Sequence, residues 1–216
     1  IKKAKWINAD TECESGCGIL PFSYQEKIYV HALQWAIGLE LFLMSRDPWR
    51  IILSTDHPNG GSFQSYPKLI RLLMDREFRR QEIAKVNKRA IGKTVLPDLD
   101  REYSLNEIAI ITRAGPARAL GLKNKGHLGP GADADITIYD ENPDRELMFS
   151  TPRYVIKSGN LIIDNHEFCA DFSGRIVHIA PAYDESIVPS VRKFFESYYS
   201  IEFDNYAVDD SYMHEH

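Results

Sequence analysis

The stretch IILSTDHPNGG, Ile51 to Gly61, decides how the rest of the chain is read. Ile51, Ile52, Leu53 and Ser54 suit a buried strand, Thr55, Asp56 and His57 follow, and Pro58 with the Gly60–Gly61 pair ends regular structure. Upstream, Tyr29 to Arg46 is apolar on almost every side and stops at Asp47-Pro48, which predicts a helix packed on several sides. A helix, a strand over Trp49–Thr55 and then a loop is the order of parallel α/β architecture. A carboxylate at the carboxyl end of such a strand stands where α/β barrels place catalytic groups, so Asp56 is the first candidate. It can bind a hard or borderline metal and accept a proton from metal-bound water. The alternative is an Asp that closes its own loop through backbone amides. His57 is a candidate ligand or substrate contact, with loop packing as its alternative. Asn59, with Gly60 and Gly61, can offer backbone amides to an anion or simply form a tight turn.

Beyond the loop, Tyr66 to about Ala90 reads as one helix, with Pro67 in its first turn and Leu69, Leu72, Leu73 and Phe78 as its apolar stripe. Its basic run RRQEIAKVNKR, Arg79 to Arg89, predicts a solvated face. Ser104 and Glu107 have capping-box spacing, so a helix starts there, and Pro116–Leu120 forms a short successor ended by Gly121. From Gly126 the pattern changes to a glycine-rich turn, His127 to Gly131. Asp135–Tyr139 then alternates polar and apolar, and Tyr154–Asp164 reads as two strands joined through Ser158, Gly159 and Asn160. Ile187, Val188, Val191, Phe194, Phe195 and Tyr198 give a last amphipathic helix before an acidic, aromatic tail.

The chain has 216 residues, 44% of them hydrophobic and 26% charged, and a net charge of −5. These values describe a globular protein and speak against a broad nucleic-acid or anionic-membrane surface. Ala32–Met44 is interrupted by Gln34 and Glu40 and is too short to span a bilayer. The N-terminus has no apolar core or cleavage site of a signal peptide. Three cysteines, Cys13, Cys17 and Cys169, argue against a disulfide framework and for a reducing, cytoplasmic compartment. Cys13 and Cys17 lack zinc-knuckle spacing. His31, His127 and His166 have no ligand partner nearby in the sequence, and His214 and His216 end the chain.

Together, STDHPNGG, SLNEIAIITRAGPARALGL, KGHLGPGADADITIYD and YVIKSGNLII closely resemble one family. They are similar to the C-terminal part of the A-type subunit of formylmethanofuran dehydrogenase and its counterpart in the bacterial formyltransferase/hydrolase complex, both metal-dependent amidohydrolases. ECESGCGILPFSY leans toward the bacterial form. The resemblance implies an α/β fold: the C-terminal part of a (β/α)8 barrel over residues 1–125, β-sandwich strands over 126–182, and a helix with an acidic tail over 183–216. It implies a binuclear zinc centre held by a His-x-His pair, a carboxylated lysine, two further histidines and the aspartate matched by Asp56. Its reaction joins or splits formate and the amine of methanofuran, with other subunits as partners.

The chain departs from that pattern upstream of Asp56, where no His-x-His occurs; the one such spacing is His214-Glu-His216. A complete barrel needs about 250 residues, yet the aspartate of the last strand is residue 56. The expectation is therefore a C-terminal portion of a longer enzyme, inactive alone because one carboxylate does not hold two zinc ions. Two other readings fit the residues: a non-catalytic assembly module, able to form a homo-oligomer through uncovered apolar faces, and another amidohydrolase such as a cyclic amidase.

Overall fold

A computed structural model describes residues 24–57, 61–172, 182–199 and 202–206. The chain divides into two compact units: Pro21–Ser173, and a second made of Ile1–Leu20 with Gly174–His216. Within the first unit, α1 (Tyr29–Met44) is followed by a short 3-10 turn over Pro48–Arg50 and by an extended run. After the loop come α2 (Tyr66–Met74), α3 (Arg76–Lys85) and α4 (Lys88–Ile91). Further on, α5 (Leu105–Ala109), a π-helical turn (Ile110–Ala114) and α6 (Gly115–Ala119) run into one another.

The expected single helix over Tyr66–Ala90 is in fact three, and caps explain the breaks. Asp75 leaves helical geometry (φ −124°, ψ 98°), and its carboxylate accepts the Phe78 amide at 2.8 Å, starting α3. Asn87 does the same for α4 by accepting from the amides of Arg89 and Ala90. The basic run is likewise not a uniformly solvated face: Arg79 is 1% exposed, while Arg80 beside it reaches Asp100 on the surface. The Ser104–Glu107 capping box forms as its spacing predicts, each side chain taking the other's backbone amide.

One core joins these helices. Ala36, Leu39 and Leu43 of α1 pack with Ile70, Leu72 and Leu73 of α2 and with Leu53, Leu96, Tyr103, Ile108 and Ile111. A smaller cluster of Ala32, Val86 and Ala90 seats α1 on α4. Yet α1 is not packed on several sides as its composition predicts: Val30, Ile37, Leu41 and Met44 are 43–62% exposed along one face. Among the described residues nothing covers that face. No described helix is long and apolar enough to cross a membrane.

The sheet follows as a four-stranded antiparallel meander in sequence order: β1 (Ile136–Ile138), β2 (Tyr154–Lys157), β3 (Asn160–Asp164) and β4 (Glu167–Phe168). The β2–β3 turn falls at Ser158 and Gly159, both at positive φ, as the sequence predicts. α7 (Arg145–Ser150) lies between β1 and β2 in the chain and packs on α2, with Arg71 bonded to Asp144 at 2.7 Å. The fold is therefore a mixed helix and strand structure with a small antiparallel sheet.

One expectation fails. Trp49–Thr55 does not form a strand: it opens in the 3-10 turn, and Ile51–Thr55 runs extended with no ladder. Its tie to the core is the Leu53 amide, which donates to the Ile111 carbonyl at 3.0 Å. A strand is a property of a pair, and the described residues supply no neighbour for this one.

Candidate functional site

Asp56 and His57 end the extended run, while Asn59 lies outside the described residues. Two bonds hold the approach to Asp56: the Tyr66 hydroxyl donates to the Leu53 carbonyl, and the Asp56 amide donates to Ser54 Oγ, each at 3.3 Å. Asp56 itself has φ 49°, left-handed backbone that Asp and Asn tolerate better than most residues. Its side chain is exposed. The chain thus turns sharply there and presents a carboxylate at the end of an extended segment.

His57 has a structural occupation. Its Nδ1 accepts the Phe63 amide at 3.4 Å, and its ring meets the Phe63 ring edge-on at 4.7 Å between centroids. This arrangement closes the loop across Gly61 and favours the packing alternative for His57.

Thr55 and Gly61 border a cavity of about 650 Å³ floored by apolar side chains of α1 and α2, including Trp35, Leu39 and Leu72. Its rim is polar. Glu82 pairs with Lys68 at 2.8 Å and also with Lys85; burial raises the pKa of its carboxyl, but the two ammonium groups outweigh that and hold it below the ordinary value. Tyr24 stands at the same rim, its phenol pushed up by burial and by Glu26 and Glu82.

The residues present do not by themselves fit a metal centre. Among the described residues, no three His, Cys, Asp or Glu side chains come together as a metal site. Asp56 contributes a single carboxylate, and His57 Nδ1 is taken by a backbone amide. His127 holds its own turn through Lys123 and Gly129, and His166 faces Asp140 at 3.2 Å. Cys169 is a free, exposed cysteine. Cys13, Cys17, His214 and His216 lie outside the described residues.

A cluster of charges beneath the glycine-rich turn escapes the sequence reasoning. Lys125 bridges Asp133 at 2.6 Å and Asp135 at 2.8 Å, and Asp135 also accepts from Lys157 and from the Ser158 amide. The Asp-x-Asp alternation in GADAD is the available signal, since it puts both carboxylates on one side of an extended segment. The cluster ties the turn to the β2–β3 hairpin. Gly126 supports the same turn at φ 78°, where a Cβ would lie 2.7 Å from that of Ala117. Gly115 is needed for the π-turn, since its Cβ would come 2.8 Å from the Ile110 carbonyl oxygen.

Burial raises the Asp135 pKa, but the two lysines and the amide outweigh this and hold the carboxyl well below the usual carboxylate range. A depressed folded-state pKa gives stability that is complete above the unfolded value, near 3.8, and is lost as pH falls toward the folded one. Urea unfolding is therefore expected to weaken by about 2 kcal/mol as pH drops from 5 to 2, and Asp135→Asn to remove much of that slope. An unchanged acid slope in the variant would assign it to other carboxylates.

Comparison with known proteins places this geometry. The chain is 43% identical over 210 residues to the A-type subunit of Fhc, the formyltransferase/hydrolase complex of Methylorubrum extorquens, covering 97% of this chain and 38% of that protein. It is 41% identical over 220 residues to the FwdA protein of Methanocaldococcus jannaschii, covering 96% and 39%. The crystal structure of the Methylorubrum extorquens complex with methylofuran superposes with a TM-score of 0.74 at 41% identity, covering 90% of this chain and 37% of the matched one. The chain thus spans just under two fifths of the length of these relatives. A model of the amidohydrolase family matches residues 2–163, which include the extended run, the Asp56 turn and the sheet through β3. With three quarters of its length inside that match, the chain belongs to the amidohydrolase family.

Proposed function

We propose that the protein containing this chain is the amidohydrolase subunit of a formylmethanofuran-processing complex, cleaving or forming the N-formyl bond between formate and the amine of methanofuran. The observation that carries this is identity of 41–43% along nearly the whole chain to subunits of that kind, against a general family match that ends at residue 163. In this reading the helical part is the C-terminal portion of a (β/α)8 barrel over residues 1–125, with Ile51–Thr55 as its last strand. Residues 126–182 belong to a small β-sandwich, and 183–216 form a C-terminal extension. The extended backbone of Ile51–Thr55, ending in a sharp turn at Asp56 before α2, supports that placement.

Asp56 is the acid/base. In hydrolysis it takes a proton from the water that attacks the formyl carbon, a C–O bond forms, and the C–N bond breaks. The same proton passes to the departing amine, leaving formate and the free amine. Asp56 is also the one ligand that this chain brings to the zinc pair the resemblance implies. The remaining ligands have no counterpart among the described residues. His57 and Asn59 serve the loop that frames the substrate.

Formate release by the full-length protein, measured with N-formylated methanofuran and with a cyclic amide, tests this. At least a hundredfold preference for the formyl substrate is expected, and a preference for the cyclic amide would replace this reading with a cyclic amidase. The 216-residue chain alone is expected to hold no zinc pair and release no formate.

A further inference from the structure

The second unit carries a feature that the amidohydrolase plan does not account for. The family match stops at residue 163, whereas similarity to the two complex subunits runs over 96–97% of the chain. The segment after 163 is therefore shared with subunits of multisubunit assemblies and lies outside the general family pattern. It is also where the charge sits: residues 182–216 hold eight acidic and two basic side chains, a net −6, while the whole chain carries −5. The rest of the chain is close to neutral.

Its main described element is α8 (Val188–Tyr198), entered through a 3-10 turn over Glu185–Ile187 that Asp184 caps by accepting the Ser186 amide. One side of α8 is used within the unit. Phe195 stacks on Tyr199 at 4.5 Å and meets Phe203 edge-on at 5.7 Å. Arg192 lies 4.8 Å over the Phe203 ring and grips both oxygens of Asp204 at 2.8 and 2.6 Å. Another side carries Ile187, Val191, Phe194 and Tyr198, at the spacing of successive helical turns, with exposures of 54%, 41%, 60% and 52%. The rings of Phe194 and Tyr198 are paired at 4.6 Å.

We propose that this stripe is a docking helix that inserts into an apolar groove with a basic rim on another subunit of the complex, a reading that rests on the proposed function. Helix-in-groove recognition uses anchors at this spacing, and aromatic anchors dominate such contacts. The acidic surroundings select the occupant. Two copies of a segment at −6 repel one another, and an anionic lipid surface repels it as well, whereas a basic rim complements it.

The test co-expresses the full-length protein with the other subunits of its complex, carrying p-benzoylphenylalanine in place of Phe194. Ultraviolet irradiation is expected to cross-link it to one other subunit, and 0.5 M salt to weaken that yield. A cross-link to a second copy, to its own chain, or to nothing overturns the proposal. Val191→Glu with Phe194→Glu is expected to reduce co-purified partner at least tenfold, with helix content unchanged by circular dichroism. Undiminished co-purification of the double variant overturns it too. Assembly without formate release would sink the functional reading and leave this one standing; formate release with assembly insensitive to the variants would do the reverse. A wild-type protein that captures no subunit overturns both.

Discussion

Asp56→Asn in the full-length protein is expected to lower formate release from N-formylated methanofuran by about three orders of magnitude, the upper part of what a positioned acid/base contributes. The substitution separates chemistry from folding unusually well. Position 56 has φ 49°, and Asn is among the few residues that share the tolerance of Asp for that conformation. The backbone bond from residue 56 to Ser54 Oγ does not involve the side chain and survives. The side chain is exposed, so the variant opens no cavity and leaves no buried partner unsatisfied. What is lost is a group that can take and return a proton, because an amide is neither a base nor an acid near neutral pH. Single-turnover kinetics with an unchanged thermal midpoint would check this, and a rate within tenfold of wild type would remove Asp56 from the proton path.

How far the sequence discloses this molecule depends on how local each feature is. The Ser104–Glu107 box and the Ser158–Gly159 hairpin turn are each written in four consecutive residues, and both form as read. The break at Asp75 is as local, but its signal is ambiguous: an Asp beside Arg76 and Glu77 fits a solvated helical position as well as a cap. What decides is tertiary. A single helix would carry Phe78 and Ile83 along the axis of α2 and away from the core that they reach after the bend. The Trp49–Thr55 strand is the opposite case. Its composition is right and its backbone is extended, but a ladder requires neighbours that no local pattern supplies. The candidate site divides in the same way. The position of Asp56 at the end of an extended run is legible. The engagement of His57 with Phe63, six residues on, is not, because it depends on how the loop closes.

Arg79, a surface residue by its basic sequence context, is expected to prove the most costly single residue to replace in the helical part. Helix α2 ends with carbonyls that have no partner within the helix. The Arg71 carbonyl accepts from the Asp75 amide, the Leu73 carbonyl from the Tyr103 amide, and the Leu72 carbonyl from the Arg79 guanidinium at 2.7 Å. The other end of the same guanidinium donates to the carbonyls of Leu99 and Arg101 at 3.0 and 2.9 Å. One planar fork thus joins the end of α2 to the segment that leads into the capping box of α5. Burial lowers the Arg79 pKa from its ordinary value, yet an arginine stays charged at any pH of interest. Arg79→Met keeps most of the stem volume and removes every donor, leaving three carbonyls in or near the core without partners. A loss of about 4 kcal/mol is expected, as for breaking a buried charged contact from one side. Arg79→Lys is expected to recover less than half of it, since one ammonium on a flexible stem does not span carbonyls on two segments. Urea unfolding of the two variants would measure this directly. If Arg79→Met unfolds within 1 kcal/mol of wild type, the three bonds do not hold α2 to the residue 99–101 segment.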